Sequence, residues 1–170
     1  MGNERPPQKP FLRKLFVSAL QGALFNAWLG ERIENKTFAS AIAGDLMRKE
    51  DTGGIFLCED PGVDTERVQR WEISPTGPMF GARMKAPVGD ALVRESEQLA
   101  RFGVTMEHLA RVERFGEGTR RPARVRPDQV SMERAGPDLV LEFGLPRGAY
   151  ATELVSELLK TRDLSLGEEA

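Results

Sequence analysis

Between residues 11 and 34 the apolar positions recur at intervals of three and four. Leu12, Leu15 or Phe16, Ala19, Ala23 and Ala27 form one row, and Leu20, Leu24 and Trp28 form an adjoining one. That spacing puts side chains on one face of an α-helix. Two rows side by side make a wide apolar arc, so a largely buried helix is expected. Its small residues favour close packing, and Asn26 is placed to satisfy a backbone group.

The pattern then shortens. Gly44-Asp45 interrupts it, and residues 46–49 and 55–58 read as short strands around a turn at 51–54. Asp64 is expected to cap a short helix reaching Trp71. Ser74-Pro75-Thr76-Gly77-Pro78 reads as a loop from its glycine and prolines, and 79–84 as a short strand or irregular chain. Residues 89–102 form an amphipathic helix through Leu92, Val93, Leu99 and Phe102, and 106–112 fit a further short one. Pro122 and Pro127 frame an extended stretch. Strands at 130–133 and 139–143 then make a hairpin around Ala135-Gly136-Pro137-Asp138, with Leu139, Leu141 and Phe143 on one face. After the turn Leu145-Pro146-Arg147-Gly148, a last helix is expected to bury Leu154, Val155, Leu158 and Leu159. The sum is an α+β chain of mixed helix and sheet, without internal repeats.

Composition narrows the chemistry. At 170 residues, 40% hydrophobic and 29% charged, the chain has the make-up of a soluble globular protein with an adequate core. One cysteine, Cys58, and one histidine, His108, exclude an internal disulfide and a Cys/His zinc site. Cys58 reads as a packing residue and His108 as a surface or half-buried one. No stretch approaches the roughly 20 apolar residues of a membrane span, and the first ten residues lack the apolar centre of a secretory signal. A cytoplasmic location is the expectation. There is no glycine-rich phosphate loop and no nucleophile elbow.

The net charge of −2 conceals a basic stretch. Arg111, Arg114, Arg120, Arg121, Arg124 and Arg126 stand against only Glu113 and Glu117 between them. Forked guanidinium donors suit phosphate oxygens, so this stretch fits either an RNA-backbone contact or a solvated charged loop. Tyr150, the single tyrosine, lies between a glycine-bearing turn and a helix start. It fits either a ring projecting towards a ligand or a core tyrosine with a bonded hydroxyl.

Five segments in order resemble the TruD family of tRNA pseudouridine synthases. They are Ser18-Ala19-Leu20-Gln21-Gly22-Ala23-Leu24-Phe25-Asn26 with Glu31-Arg32, then Gly44-Asp45-Leu46, then Pro75-Thr76-Gly77-Pro78-Met79-Phe80-Gly81. The fourth is Gly118-Thr119-Arg120-Arg121, and the last is Leu145-Pro146-Arg147-Gly148-Ala149-Tyr150-Ala151-Thr152 with Glu157-Leu158. The resemblance implies isomerisation of uridine to pseudouridine in tRNA, with neither cofactor nor metal. It implies that Tyr150 contacts the target uracil. Arg120 and Arg121 match a family motif, and the inference for both is phosphate contact. The family's catalytic aspartate stands in a Gly-x-Lys-Asp segment, and no such segment occurs in this sequence; nor does the family's Asn-x-x-Gly motif. No catalytic residue is therefore assigned, and the chain alone is expected to be inactive.

The resemblance further implies a division of the chain. Residues 1–10 are a tail or linker, 11–123 an insertion domain, 124–162 the last strands and helix of a catalytic domain, and 163–170 a tail. The chain is expected to be a fragment, one half of a split enzyme, or the product of a truncated gene, with an N-terminal half as partner. The alternative is a non-catalytic RNA-binding or structural remnant. A hairpin deprived of its sheet has an open edge and an apolar face, so the isolated chain is expected to dimerise or aggregate.

Overall fold

The computed structural model describes residues 9–160. The chain divides into two compact units, Met1–Arg124 and Val125–Ala170.

Unit 1 is built on a long helix laid across a four-stranded antiparallel sheet. Helix α1 runs Pro10–Glu34, with proline at the first helical position, where its missing N–H costs nothing. The sheet has the order β2–β1–β3–β4, with β1 at Leu46–Lys49, β2 at Ile55–Leu57, β3 at Ile73–Met79 and β4 at Thr119–Pro122. Helices α2 (Pro61–Gln69), α3 (Gly89–Arg101) and α4 (Met106–Arg111) and a 3₁₀ turn at Glu113–Phe115 complete the unit.

Several sequence expectations need correction here. The cap of α2 is Asp60, whose carboxylate accepts from the Gly62 and Val63 amides. Asp64 lies inside the helix instead, buried and paired with Arg67. The segment read as a loop, Ser74 to Pro78, is the core of the central strand. Its prolines are tolerated by register. Pro75 lies opposite Met47 on β1 and accepts from the Ala123 amide on the other side, while Pro78 lies opposite Arg120, past the end of β1's pairing. Pro78's missing N–H falls past the end of β1, and Pro75 stands just outside the β3–β4 register, which begins at Thr76. Gly77 is required for another reason: a β-carbon there would sit 2.4 Å from Trp28 and 2.7 Å from Phe25. The helix rests directly on the strand backbone.

Helix α1 is also less buried than its pattern suggested. Val17, Gln21, Leu24, Phe25, Trp28 and Arg32 face inwards, whereas Phe11, Leu15, Phe16, Ala19, Ala23 and Asn26 are exposed. A helix this wide in apolar arc needs partners on two sides, and the sheet, α3 and the 3₁₀ turn occupy one. Within unit 1 the core is closed around Leu24, Phe80, Leu99 and Leu109, around Met47, Cys58, Val68 and Ile73, and around Phe25, Trp28 and Ala123.

Unit 2 is an antiparallel hairpin, β5 (Asp128–Ala135) with β6 (Asp138–Gly144), followed by helix α5 (Ala151–Leu159). A register shift between Asp128 and Ser131 bulges the first strand. The expected buried stripe on α5 is not buried: Leu154 and Val155 are half-covered, and Leu158 and Leu159 are exposed. One hairpin and one helix offer too little surface to enclose a stripe.

Candidate functional site

The basic stretch separates into two kinds of arginine, because alternate residues of β4 point to opposite faces of the sheet. Arg120 points in. Its Nη atoms meet the Glu95 carboxylate at 2.7 and 2.9 Å, its Nε donates to Thr76 Oγ1 at 3.2 Å, and Nη2 also reaches the Thr76 carbonyl at 2.5 Å. A weaker contact to the Met84 sulfur, 3.9 Å, takes the fifth donor. The pair is closed to water, with side chains 5% and 4% exposed. Burial pushes the Glu95 carboxyl above its ordinary range, outweighing Arg120's hold on it. Thr76 in turn donates to the Leu46 carbonyl, so this cluster ties β1, β3, β4 and α3 together.

Arg124 is likewise drawn into the unit. It donates to Ser74 Oγ at 2.9 Å and to the carbonyls of Val68 and Ile73, and its guanidinium stacks 3.8 Å from the Trp71 ring centroid. Burial lowers its pKa.

Arg121 points out. Its guanidinium lies over Phe25, 4.9 Å from the ring centroid, and its side chain is exposed. Arg114 is exposed too, stacked on Phe115 at 4.6 Å. Among the described residues neither has a carboxylate within ion-pair distance.

Tyr150 is the N-cap residue of α5 and is 70% exposed. Leu145 to Ala149 deliver it on a turn in which Gly148 has φ +90° and the Ala149 amide bonds the Pro146 carbonyl. That positive φ is one a side-chain-bearing residue rarely adopts. Unit 2 therefore holds the ring out from the helix start, while Arg120 and Arg121 belong to unit 1.

The remaining candidates are structural. Cys58 is buried, and desolvation, joined by a hydrogen bond to Asp64, pushes its thiol up to about 12. A thiol so protonated is a poor nucleophile. His108 closes a capping box with Thr105 at the start of α4, exposed as one of the two expectations held. Among the described residues no group of three or more His, Cys, Asp or Glu is arranged to hold a metal ion, and no helix is long and apolar enough to cross a membrane. Sequence reading missed Glu95, Thr76 and the Arg32–Asp45 pair. The only signal for the first was a glutamate on the apolar side of the amphipathic 89–102 pattern.

Comparison with known proteins places the chain. The family model described as tRNA pseudouridine synthase D (TruD) matches residues 8–158. A tRNA pseudouridine synthase D of Anaeromyxobacter sp. (strain Fw109-5) is 47% identical over 156 residues, 92% of this chain and 44% of that protein. A Thermus thermophilus protein of the same name is 41% identical over 155 residues, 91% of this chain and 42% of its own. A crystal structure described as a tRNA pseudouridine synthase D from Methanosarcina mazei superposes with a TM-score of 0.69 at 24% identity, over 90% of this chain and 39% of that one. The fold is therefore the α+β fold of those proteins. The chain belongs to the TruD family, and it spans a little under half the length of the curated relatives it matches.

Proposed function

We propose that this chain forms the insertion domain and the closing part of the catalytic domain of a tRNA pseudouridine synthase, a cytoplasmic enzyme that isomerises uridine to pseudouridine in tRNA. Unit 1 is the insertion domain, and unit 2 contributes the last strands and helix of the catalytic fold. The observation that carries the reading is Tyr150, a nearly free aromatic ring held at a turn inside the last of five family segments.

In this reaction the uracil is detached from the ribose, turned and rejoined through carbon 5, and a carboxylate starts the sequence. That carboxylate is expected from a Gly-x-Lys-Asp segment, which is absent from these 170 residues. The target base must leave its stack to react. Tyr150 offers it a stacking platform of about 1–3 kcal/mol, and its hydroxyl can reach a base edge or the catalytic carboxylate. Arg121 supplies phosphate contact. Arg120, anticipated in the same role, has its donors taken up by Glu95, Thr76 and Met84, so it shapes the Pro75–Thr76–Gly77–Pro78 strand rather than touching RNA. No metal or cofactor takes part.

The test is release of tritium from tRNA labelled at uridine carbon 5. The chain alone is expected to release none, and the chain mixed with a separately expressed N-terminal half from a relative is expected to release label. In that mixture Tyr150→Ala should slow release roughly 5- to 150-fold. Release by the chain alone would overturn the assignment of the nucleophile to another segment. An inactive mixture whose halves demonstrably associate would sink the synthase reading itself.

Self-association of the isolated chain belongs to the same proposal. Val130, Met132 and Leu139 on the hairpin and Leu158 and Leu159 on α5 are all exposed, and a hairpin has two unpaired edges. Sedimentation velocity should find dimers or larger species at micromolar concentration, reduced when the N-terminal half is added. A monomer throughout would refute it.

A further inference from the structure

Three contacts show that residues 113–121 run alongside α1. Arg13 lies 6.0 Å from the Phe115 ring centroid, Gly116 abuts Val17 and Gln21, and Arg121 covers Phe25. From residue 13 to 25 the helix advances about 18 Å. Along that seam the charge is one-sided. Helix α1 carries Arg13 and Lys14 and no acidic residue before Glu31. The two glutamates on the facing segment, Glu113 and Glu117, are both engaged by Arg83, whereas Arg114 and Arg121 point outwards.

Each outward guanidinium lies over a phenylalanine ring, Arg114 over Phe115 at 4.6 Å and Arg121 over Phe25 at 4.9 Å from the centroid. Such a contact restrains the cation and lowers the entropy lost on gripping a ligand. Surface arginines with a purely solubilising role are more commonly mobile or paired with acids. Among the described residues Arg114 and Arg121 are each restrained by a ring, unpaired with acids, and set beside α1 along residues 13–25.

We infer that the seam between α1 and the 113–121 segment is an RNA-backbone track in which Arg114 and Arg121 each bind a phosphate. The track lies entirely in unit 1 and uses no residue of unit 2. It rests on the synthase reading only for the identity of the polyanion as tRNA.

The experiment is binding of an unmodified tRNA transcript to the whole chain across a salt series. The wild type is compared with Arg114→Ala, Arg121→Ala, the double variant, Arg121→Lys, and Arg70→Ala as an exposed arginine elsewhere. Each neutralised phosphate contributes roughly 0.7–0.9 to the slope of log affinity against log salt. Arg114→Ala and Arg121→Ala should each lower the slope by about that amount, the double variant by about twice as much, and Arg70→Ala should leave it unchanged. Arg121→Lys should recover most of the slope. Melting curves keep loss of fold separate from loss of contact. Slopes unaltered in both single variants and in the double variant would overturn the track while leaving the synthase reading standing. Absence of any salt-dependent tRNA affinity would also overturn it, and label release from the mixed halves would still judge the synthase reading independently.

Discussion

Replacing Arg120 by alanine is expected to destabilise unit 1 by about 3–5 kcal/mol, because it strands the Glu95 carboxylate in the core. In the intact protein that carboxylate is 4% exposed, held by both Nη atoms of Arg120. The sign of the pH response distinguishes this from simple loss of packing. Burial raises the Glu95 pKa, so the folded state holds its proton more tightly than the unfolded chain does. The contribution of this group is then fully present below the ordinary carboxylate range and is lost as pH rises through the raised value. Removing the arginine should raise that pKa further and widen the window. Arg120→Ala should therefore regain part of its lost stability on acidification, and adding Glu95→Gln should restore part of it at neutral pH. Urea unfolding at several pH values reads both effects. A loss below about 1 kcal/mol, or one insensitive to pH, would show that the pair is not the fixed centre described above.

Arg32→Ala should cost a comparable amount, again about 3–5 kcal/mol. Arg32 is buried with Asp45, the side chains 4% and 6% exposed. Its Nη1 meets both carboxylate oxygens at 2.8 and 3.0 Å, and Nε and Nη2 take the carbonyls of Thr37 and Ser40. One side chain thus satisfies the chain as it leaves α1 and the turn that leads into β1. Asp45 Oδ2 also accepts from the Ile42 amide. A lysine would keep the charge but lose the fork, so Arg32→Lys should fall between wild type and alanine. Amide exchange at Ile42 gives a local reading. It should accelerate in Arg32→Ala well beyond the global loss of stability, and unchanged protection would contradict the coupling.

Element positions were largely readable from the sequence because periodicity is a local property. The long helix at 10–34, the strands at 46–49 and 55–57, the helices near 89 and 106 and the final hairpin all follow from alternation or from three-and-four spacing. What failed depended on partners. Ser74-Pro75-Thr76-Gly77-Pro78 carries the local signature of a loop, and it becomes a central strand because β1 pairs along residues 73–75 and β4 along residues 76–79, partners that the local signature does not announce. The burial of α1 and α5 was overestimated for a related reason: an apolar stripe states what a surface needs, not whether this chain provides it.

The candidate site was partly legible. Family motifs led to Tyr150, which is exposed, and to the arginine pair. Motif and charge cannot tell Arg120 from Arg121, since the two are adjacent and chemically identical. Only the pleat of β4 separates them, and only the position of Glu95 on a distant helix makes the inward one a structural ion.

Arg124 closes unit 1 by bonding Ser74, Val68 and Ile73 and by lying on Trp71, one residue before the boundary with Val125. The backbone is thus moored at the point where it departs. A moored exit spreads load: tension on the chain beyond Val125 passes through the guanidinium to Val68, Ile73 and Ser74 as well as through the backbone to β4. A gene that exchanges modules at this junction would inherit unit 1 intact.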